Sequence, residues 1–201
     1  MTGAADTLPA MHIPRPAAPR LPLIDPAGDA VGADLAETLN KTIVKDGEPL
    51  NIFRTLAHHP GLLKRFNVLG GAFLARGLLP PREREIVILR VGWNCRAVYE
   101  FGQHTIIGRE AGLTDAEIAA LAGTRAAGPW SDDDQALIAL ADELCADDCV
   151  SEATFAALRP RWNDTELVEI VALAGFYRMV SGILNSLGVQ PEPGVPGWPA
   201  S

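Results

Sequence analysis

Apolar positions recur at three- and four-residue steps through most of the chain, which is the period of a helix with one buried face. From Asp34, Leu35, Leu39, Ile43 and Val44 form the first such stripe, and the pattern carries it to Asp46-Gly47. LNIFRTLAHHP reads as a short helix closed at Pro60, with His58 and His59 as cations suited to a helix end. GLLKRFNVLGGAFLARG is a longer helix, its stripe made by Leu62, Leu63, Phe66, Leu69, Phe73 and Leu74. Gly70 and Gly71 lower helix propensity inside it, so the pattern predicts a bend or a close helix crossing there. Pro80-Pro81 opens the next helix, with Glu83 and Glu85 near the positive end of its dipole. Its run IVILRVGW is almost continuously apolar and, alone, also fits a buried strand; its length and Pro/Glu start select helix. A second helix follows from about Arg96 to Ala111, ended by Gly112. Thr114 and Glu117 make a capping box for a third. After a loop over 123–130, Ser131 caps a helix lined by Leu137, Ile138, Ala141 and Leu144; Ser151 caps a short one, and Asn163 with Glu166 caps the long last one. No strand alternation is evident. The expectation is an all-α fold of about eight or nine helices around an antiparallel helical hairpin.

Outside this region the pattern disappears. Residues 1–30 carry Pro9, Pro14, Pro16, Pro19, Pro22 and Pro26, a density that forbids helix interiors, so they are expected to form an N-terminal arm. Ile13, Leu21, Leu23 and Ile24 make that arm apolar enough to dock, while His12 reads as a solvated loop residue. Residues 31–190 are expected to be one helical domain and 191–201 a Pro/Gly-rich tail. With 48% hydrophobic and 21% charged residues among 201, the chain can build a core. A net charge of −8 argues against nucleic acid and anionic membranes as partners. The N-terminus lacks a secretory signal, and no run of about 18 uninterrupted apolar residues predicts a membrane span. Three cysteines, Cys95, Cys145 and Cys149, lack an extracellular spacing and fit reduced thiols, so the expected location is cytoplasmic.

Acid/base residues cluster between Leu79 and Leu121. Glu100 and His104 are spaced i, i+4 and share a helix face, a carboxylate within reach of an imidazole. Such a pair suits proton transfer near neutral pH, and equally suits a solvated helix face. Glu85 lies on the preceding helix, where a hairpin can return it to the same place. Trp93, Tyr99 and Phe101 are near enough in sequence to exclude water. Metal binding is not expected: di-iron bundles use Glu-x-x-His twice, whereas here the spacing is Glu-x-x-x-His. Cys145 and Cys149 read as packed or half-exposed thiols beside Asp147 and Asp148. Tyr177, Arg178 and Asn185 interrupt the apolar last helix and fit either core hydrogen bonding or the lining of a pocket.

PREREIVILRVGWNCRAVYEFGQHTIIGREAGLTDAEIAAL resembles the carboxymuconolactone decarboxylase family, which includes AhpD-like alkylhydroperoxidases. The resemblance rests on the R-x-R-E-hydrophobic helix at Arg82–Leu89, the Y-E-F-x-x-H segment at Tyr99–His104, and AGLTDAEI at Ala111–Ile118. It covers roughly residues 48–190 and implies an AhpD-like fold of the longer kind. It also implies a homo-oligomer, trimer-based or larger, with the N-terminal arm suited to wrap a neighbour. Redox members of the family pair a C-x-x-C with a glutamate and a histidine. Glu85 matches that glutamate and His104 that histidine, but the two cysteine positions hold Ala97 and Glu100. Dithiol peroxide reduction needs one thiolate to attack and a second thiol to resolve, so the chain departs from that pattern.

The leading expectation is therefore a cofactor-independent acid/base enzyme acting on a small organic acid or lactone by decarboxylation, isomerisation or lactone opening. His104 would move the proton, Glu100 would orient it or act as a second base, and Glu85 would complete the relay. Trp93, Cys95, Arg96, Tyr99, Tyr177 and Arg178 are the candidate substrate-binding residues, Arg96 or Arg178 holding a substrate acid. Two other readings are a redox protein using a lone Cys95 and a non-catalytic oligomeric binding protein.

Overall fold

The structure is a computed structural model and describes residues 13–29, 31–123 and 128–199; His12 lies outside them. Nine helices are formed among the described residues: α1 (Ala33–Asn40), α2 (Asn51–Leu56), α3 (Pro60–Arg76), α4 (Pro81–Asn94), α5 (Val98–Glu110), α6 (Asp115–Leu121), α7 (Asp132–Asp147), α8 (Glu152–Leu158) and α9 (Asp164–Leu187). The fold is all-α apart from a two-residue antiparallel hairpin, β1 (Val44–Lys45) and β2 (Glu48–Pro49).

The first apolar stripe ends earlier than its period predicts. Helix α1 stops at Asn40, and Ile43 and Val44 are about half exposed. Asp46 and Gly47, expected to end a helix, instead turn the hairpin with φ of 52° and 86°. Two consecutive positive φ values are what a tight β-hairpin turn demands, and an Asp-Gly pair supplies them at low cost. Pro60 starts α3 rather than closing the helix before it: the ring occupies N1, and the His59 side chain accepts from the Leu62 amide as N-cap.

Helix α4 is the axis of the domain, packed against α5, α6, α7 and α9. Ile86, Val87, Ile88, Leu89 and Val91 are all fully buried, which explains why its sequence is apolar without a helical period. The charges it carries are all answered. Arg82 reaches Glu117 at 2.6 Å and Asp134 at 2.9 Å, tying the starts of α6 and α7 to α4. Arg90, 2% exposed, is bidentate on Asp142 and donates to the Leu121 and Gly123 carbonyls. All three predicted capping residues with a partner three positions on, Thr114, Ser131 and Asn163, close their boxes.

Helix α9 is long and apolar enough by composition to cross a bilayer, but half of its most apolar window is buried inside the domain. It lies against α4, α7, α5 and α3 as a core helix. Both termini run over the same body. Arg20 bonds from its amide to Leu187 O (2.9 Å) and from its guanidinium to Ser186 O (3.0 Å). Arg54 Nε donates to Ile24 O at 2.9 Å, and His58 Nε2 to Pro22 O at 2.8 Å. The arm over residues 13–29 thus lies on its own chain. The tail returns across α5, where a Cβ on Gly102 would stand 2.2 Å from Pro196 O.

Candidate active site

Glu85 sits in the second turn of α4 and is completely buried. Its Oε2 accepts from His104 Nδ1 at 2.6 Å, and its Oε1 accepts from Arg84 Nε at 2.9 Å. Arg84 is itself held by the Leu74 carbonyl at 3.0 Å. Burial alone would raise the Glu85 carboxyl, but the His104 and Arg84 contacts outweigh it and hold the carboxyl below its usual range. An ionised carboxylate on Nδ1 fixes the Nδ1–H tautomer of a neutral imidazole and leaves Nε2 as the nitrogen available to a ligand.

The helical hairpin thus brings Glu85 to His104, and the pairing differs from the one that helical spacing suggests. Glu100, one turn before His104, is not its hydrogen-bond partner. Glu100 is 2% exposed and accepts from Ser181 Oγ of α9 at 3.0 Å through Oε1. Its Oε2 is buried with no partner among the described residues. Burial raises this carboxyl well above its ordinary range, Ser181 opposes that, and the Cys95 sulfur adds to it. Burial thus favours the protonated form of Glu100, and one of its oxygens has no partner among the described residues. Helix α4 approaches closely here: a Cβ on Gly92 would lie 3.3 Å from Glu100 Oε1.

Glu100 and His104 both line a cavity of about 640 Å³ between α3, α5 and α9, bordered by α2 and the hairpin. Its walls are largely apolar, from Phe53, Phe66, Leu74, Ile107, Phe176, Val180 and Leu184, with Gly70 and Gly71 opening the α3 side. A Cβ on Gly70 would lie 3.5 Å from the Phe176 ring, an ordinary contact, so the crossing of α3 and α9 does not itself demand glycine there. The polar groups that line it are few: Tyr99, Glu100, Gln103, His104 and Tyr177 inside, and Lys41, Thr42, Lys45, Asn67 and Glu110 among the remaining residues. Such an apolar chamber with a few converging polar groups is the ordinary form of a small-molecule site. Tyr177 stands edge-on to His104, with centroids 4.8 Å apart, and burial, then the Glu85 and Glu100 charges, push its hydroxyl well above the usual tyrosine range.

The other sequence candidates divide between the chamber and its surroundings. Tyr99 lines the cavity with its hydroxyl donating to Glu192 Oε1 at 2.8 Å. Trp93 lies outside it, in an aromatic cluster with Phe101 and with Trp198 of the tail. Arg96, exposed and at φ 53°, does not line it; neither does Arg178, which donates to Leu144 O and pairs with Asp148. Among the described residues no arginine lines the chamber, and the basic groups that do are Lys41 and Lys45. Cys95 lies behind the wall, its sulfur 4.0 Å from that of Cys145. Among the described residues no group of three or more His, Cys, Asp and Glu is arranged to hold a metal ion.

Sequence reasoning did not single out Arg84, Ser181 or Glu192. For Ser181 a signal existed: Tyr177, Ser181 and Asn185 stand at four-residue steps and mark one polar line on an apolar helix. Arg84 is the second arginine of the R-x-R-E motif at Arg82–Leu89, although nothing in the sequence aimed it at Glu85; Glu192 carried no signal.

The sequence pattern described as "CMD: Carboxymuconolactone decarboxylase family" matches residues 60–143. Curated proteins give no match. Among solved structures, an uncharacterised peroxidase-related protein from Ralstonia eutropha JMP134, described as an alkylhydroperoxidase AhpD core, superposes with a TM-score of 0.76 at 25% identity, over 87% of this chain and 93% of that one. A peroxidase-related protein from Silicibacter sp. TM1040 gives 0.77 at 17% identity, over 90% and 95%. The debrominase Bmp8 in complex with 2,3,4-tribromopyrrole gives 0.64 at 15% identity, over 80% and 82%. Residues 60–143, which carry Glu85, Glu100 and His104, match the carboxymuconolactone decarboxylase family, and the chain has the AhpD-like fold.

Proposed function

We propose that this protein is a cofactor-independent acid/base enzyme whose substrate is a small, mainly apolar organic acid or lactone held in the chamber between α3, α5 and α9. One observation carries the reading: the buried 2.6 Å contact between Glu85 Oε2 and His104 Nδ1, which leaves Nε2 of a chamber-lining imidazole free for proton transfer. Glu85 is the positioning residue, fixing the tautomer and stabilising the imidazolium once His104 takes a proton. Glu100 supplies the complementary group. Kept neutral, its carboxyl can donate from the unpartnered oxygen to negative charge developing on a substrate oxygen. A base and an acid side by side fit decarboxylation, isomerisation or lactone opening through an enolate-like intermediate. The apolar walls favour a substrate whose bulk is ring or chain, with few charged groups.

The test uses panels of unsaturated lactones and carboxylated rings, followed by NMR in deuterated water for turnover and for solvent deuterium entering carbon. The wild-type protein is expected to act on at least one class. His104→Ala should lower that rate by about 10²- to 10⁴-fold, the usual contribution of a general acid/base. Glu85→Gln keeps the shape but removes the charge and should lose much of the same factor. Full turnover by His104→Ala, in a protein with unchanged circular dichroism, would exclude the assignment.

A further inference from the structure

Each acid/base group that α5 brings to the chamber is faced by a hydroxyl residue of α9. His104 meets Tyr177 edge-on, with ring centroids 4.8 Å apart, and Glu100 meets Ser181 at 3.0 Å. Glu100 and His104 are one turn apart on α5, and Tyr177 and Ser181 are one turn apart on α9. The two hydroxyls are used differently. Ser181, fully buried, is committed to Glu100 Oε1. Tyr177 lines the chamber and is 4% exposed, yet its hydroxyl forms no hydrogen bond among the described residues. A buried tyrosine ordinarily finds a partner for its hydroxyl inside the protein. An O–H left unanswered in a chamber wall, beside an imidazole with a free Nε2, is a donor held for a ligand.

The same wall suits an uncharged ligand. The cations that line the chamber among the described residues are Lys41 and Lys45. The Lys41 side chain is 71% exposed and pairs with Glu37 at 2.6 Å, and Lys45 donates to Pro193 O at 3.0 Å. His104 is backed by the Glu85 carboxylate, and Glu110 adds a further lining carboxyl. A carboxylate drawn in beside His104 and Tyr177 would lose its water against Phe176, Val180 and Leu184 without gaining a cation. A carbonyl oxygen needs only a hydrogen-bond donor, and Tyr177 supplies one.

We propose that the substrate is an uncharged carbonyl compound with a hydrocarbon body, a ketone or lactone, whose carbonyl oxygen accepts from the Tyr177 hydroxyl. This rests on the acid/base reading of His104 and narrows its substrate from acids and lactones to uncharged carbonyl compounds. His104 Nε2 takes a proton from the carbon next to the carbonyl. The C–H electron pair becomes a C=C bond, and the carbonyl π pair moves onto oxygen. Tyr177 holds that enolate oxygen by its O–H, with Glu100 as the second donor. Burial, then the Glu85 and Glu100 charges, keep the proton on Tyr177, so it serves as a hydrogen-bond donor throughout. The His104 imidazolium returns its proton to the same carbon or to the far carbon of a conjugated system. Substrate and product are then isomers, and no electron, water or co-reactant enters.

The test is binding to the full-length protein of three ligands that share one ring system and differ in a single group. These are 2-acetylnaphthalene, a ketone; 2-naphthoate, an acid; and 2-ethylnaphthalene, a hydrocarbon. Dissociation constants are measured at pH 7 by the fluorescence of the ligand. The ketone is expected to bind about 10-fold more tightly than the hydrocarbon, the worth of one good hydrogen bond, and the acid is expected to bind most weakly. Tyr177→Phe should erase the advantage of the ketone and leave the hydrocarbon unchanged. An acid that binds as tightly as the ketone, a ketone no better than the hydrocarbon, or a folded Tyr177→Phe protein that keeps the advantage would each overturn the proposal. The wild-type order decides it even if Tyr177→Phe fails to fold. Those outcomes leave the acid/base reading of His104 in place, whereas full turnover by His104→Ala would exclude that reading whatever the binding order.

Discussion

Burial favours the protonated form of Glu100, whose one hydrogen-bond partner among the described residues is the Ser181 hydroxyl. That has a thermodynamic sign. Above the usual value of 4.5 the unfolded chain releases this proton while the folded chain holds it, so the native state binds more protons and stability falls as pH rises. One such group costs about 1.4 kcal/mol per pH unit until its folded value is reached. Glu100→Gln preserves the shape and removes the penalty. It should be more stable than wild type at pH 8, with the advantage fading toward pH 4, when urea midpoints are compared across the range. Parallel curves would mean that Glu100 is ionised in the fold. Glu85 acts in the opposite sense: its folded value is lowered, so its contribution is present above 4.5 and is lost as pH falls through that lowered value. That these three candidate residues lie near one another was legible from spacing and resemblance, but their pairing was not. An i, i+4 interval tells which side chains share a face of α5, not which face α4 and α9 will meet. Glu100 therefore turned to Ser181, and His104 to Glu85.

At the scale of elements, period and caps carried most of the information. Helices with a one-sided stripe or a capping box stand where the pattern puts them, since each signal is local. Two places resisted. Helix α4 shows no period because it is surrounded, and the first stripe overran α1 because a hairpin can also bring Ile43 and Val44 near the domain. The helix glycines separate into two kinds with opposite expected effects. In α3, a Cβ on Gly71 would meet nothing within 4 Å. Gly71→Ala should raise stability by about 0.5–1 kcal/mol, the ordinary gain of alanine over glycine in a helix interior. In α4, a Cβ on Gly92 would stand 3.3 Å from Glu100 Oε1, which Ser181 holds, and 3.4 Å from the Phe101 amide nitrogen of the α5 backbone. Gly92→Ala should therefore fail to show that gain and should destabilise. Denaturant midpoints of the two variants provide the check, and equal gains would mean that α4 and α5 can separate slightly without cost.

The whole molecule is closed by its two proline-rich ends, which composition marked as non-helical without saying where they lie. The arm ties α2 to the end of α9, and the tail passes over α5 beside the chamber. The tail is held mainly through Glu192. Its carboxylate accepts from Tyr99 Oη at 2.8 Å, from the Asn51 amide at 2.6 Å, and from the Gln103 side chain. Lys45 and Asn51 add bonds to the Pro193 and Gln190 carbonyls. Tyr99 and Gln103 also line the chamber, so the carboxylate that fastens the tail also orients part of the chamber wall. Glu192→Ala strips the acceptor from these donors at once. Hydrogen bonds to a charged group are worth about 1.5–3 kcal/mol each, but the freed Asn51 and Gln103 donors are only half-buried and recover water, so a total loss of about 2–3 kcal/mol is expected. Hydrogen exchange should separate this from a diffuse effect. Amides over 189–198 and the first turn of α2 should exchange faster, while those of α4 and α7 change only with global stability. Unchanged protection over 189–198 would mean that the tail holds by its aromatic contact, Trp198 against Trp93 and Phe101, rather than by its charge.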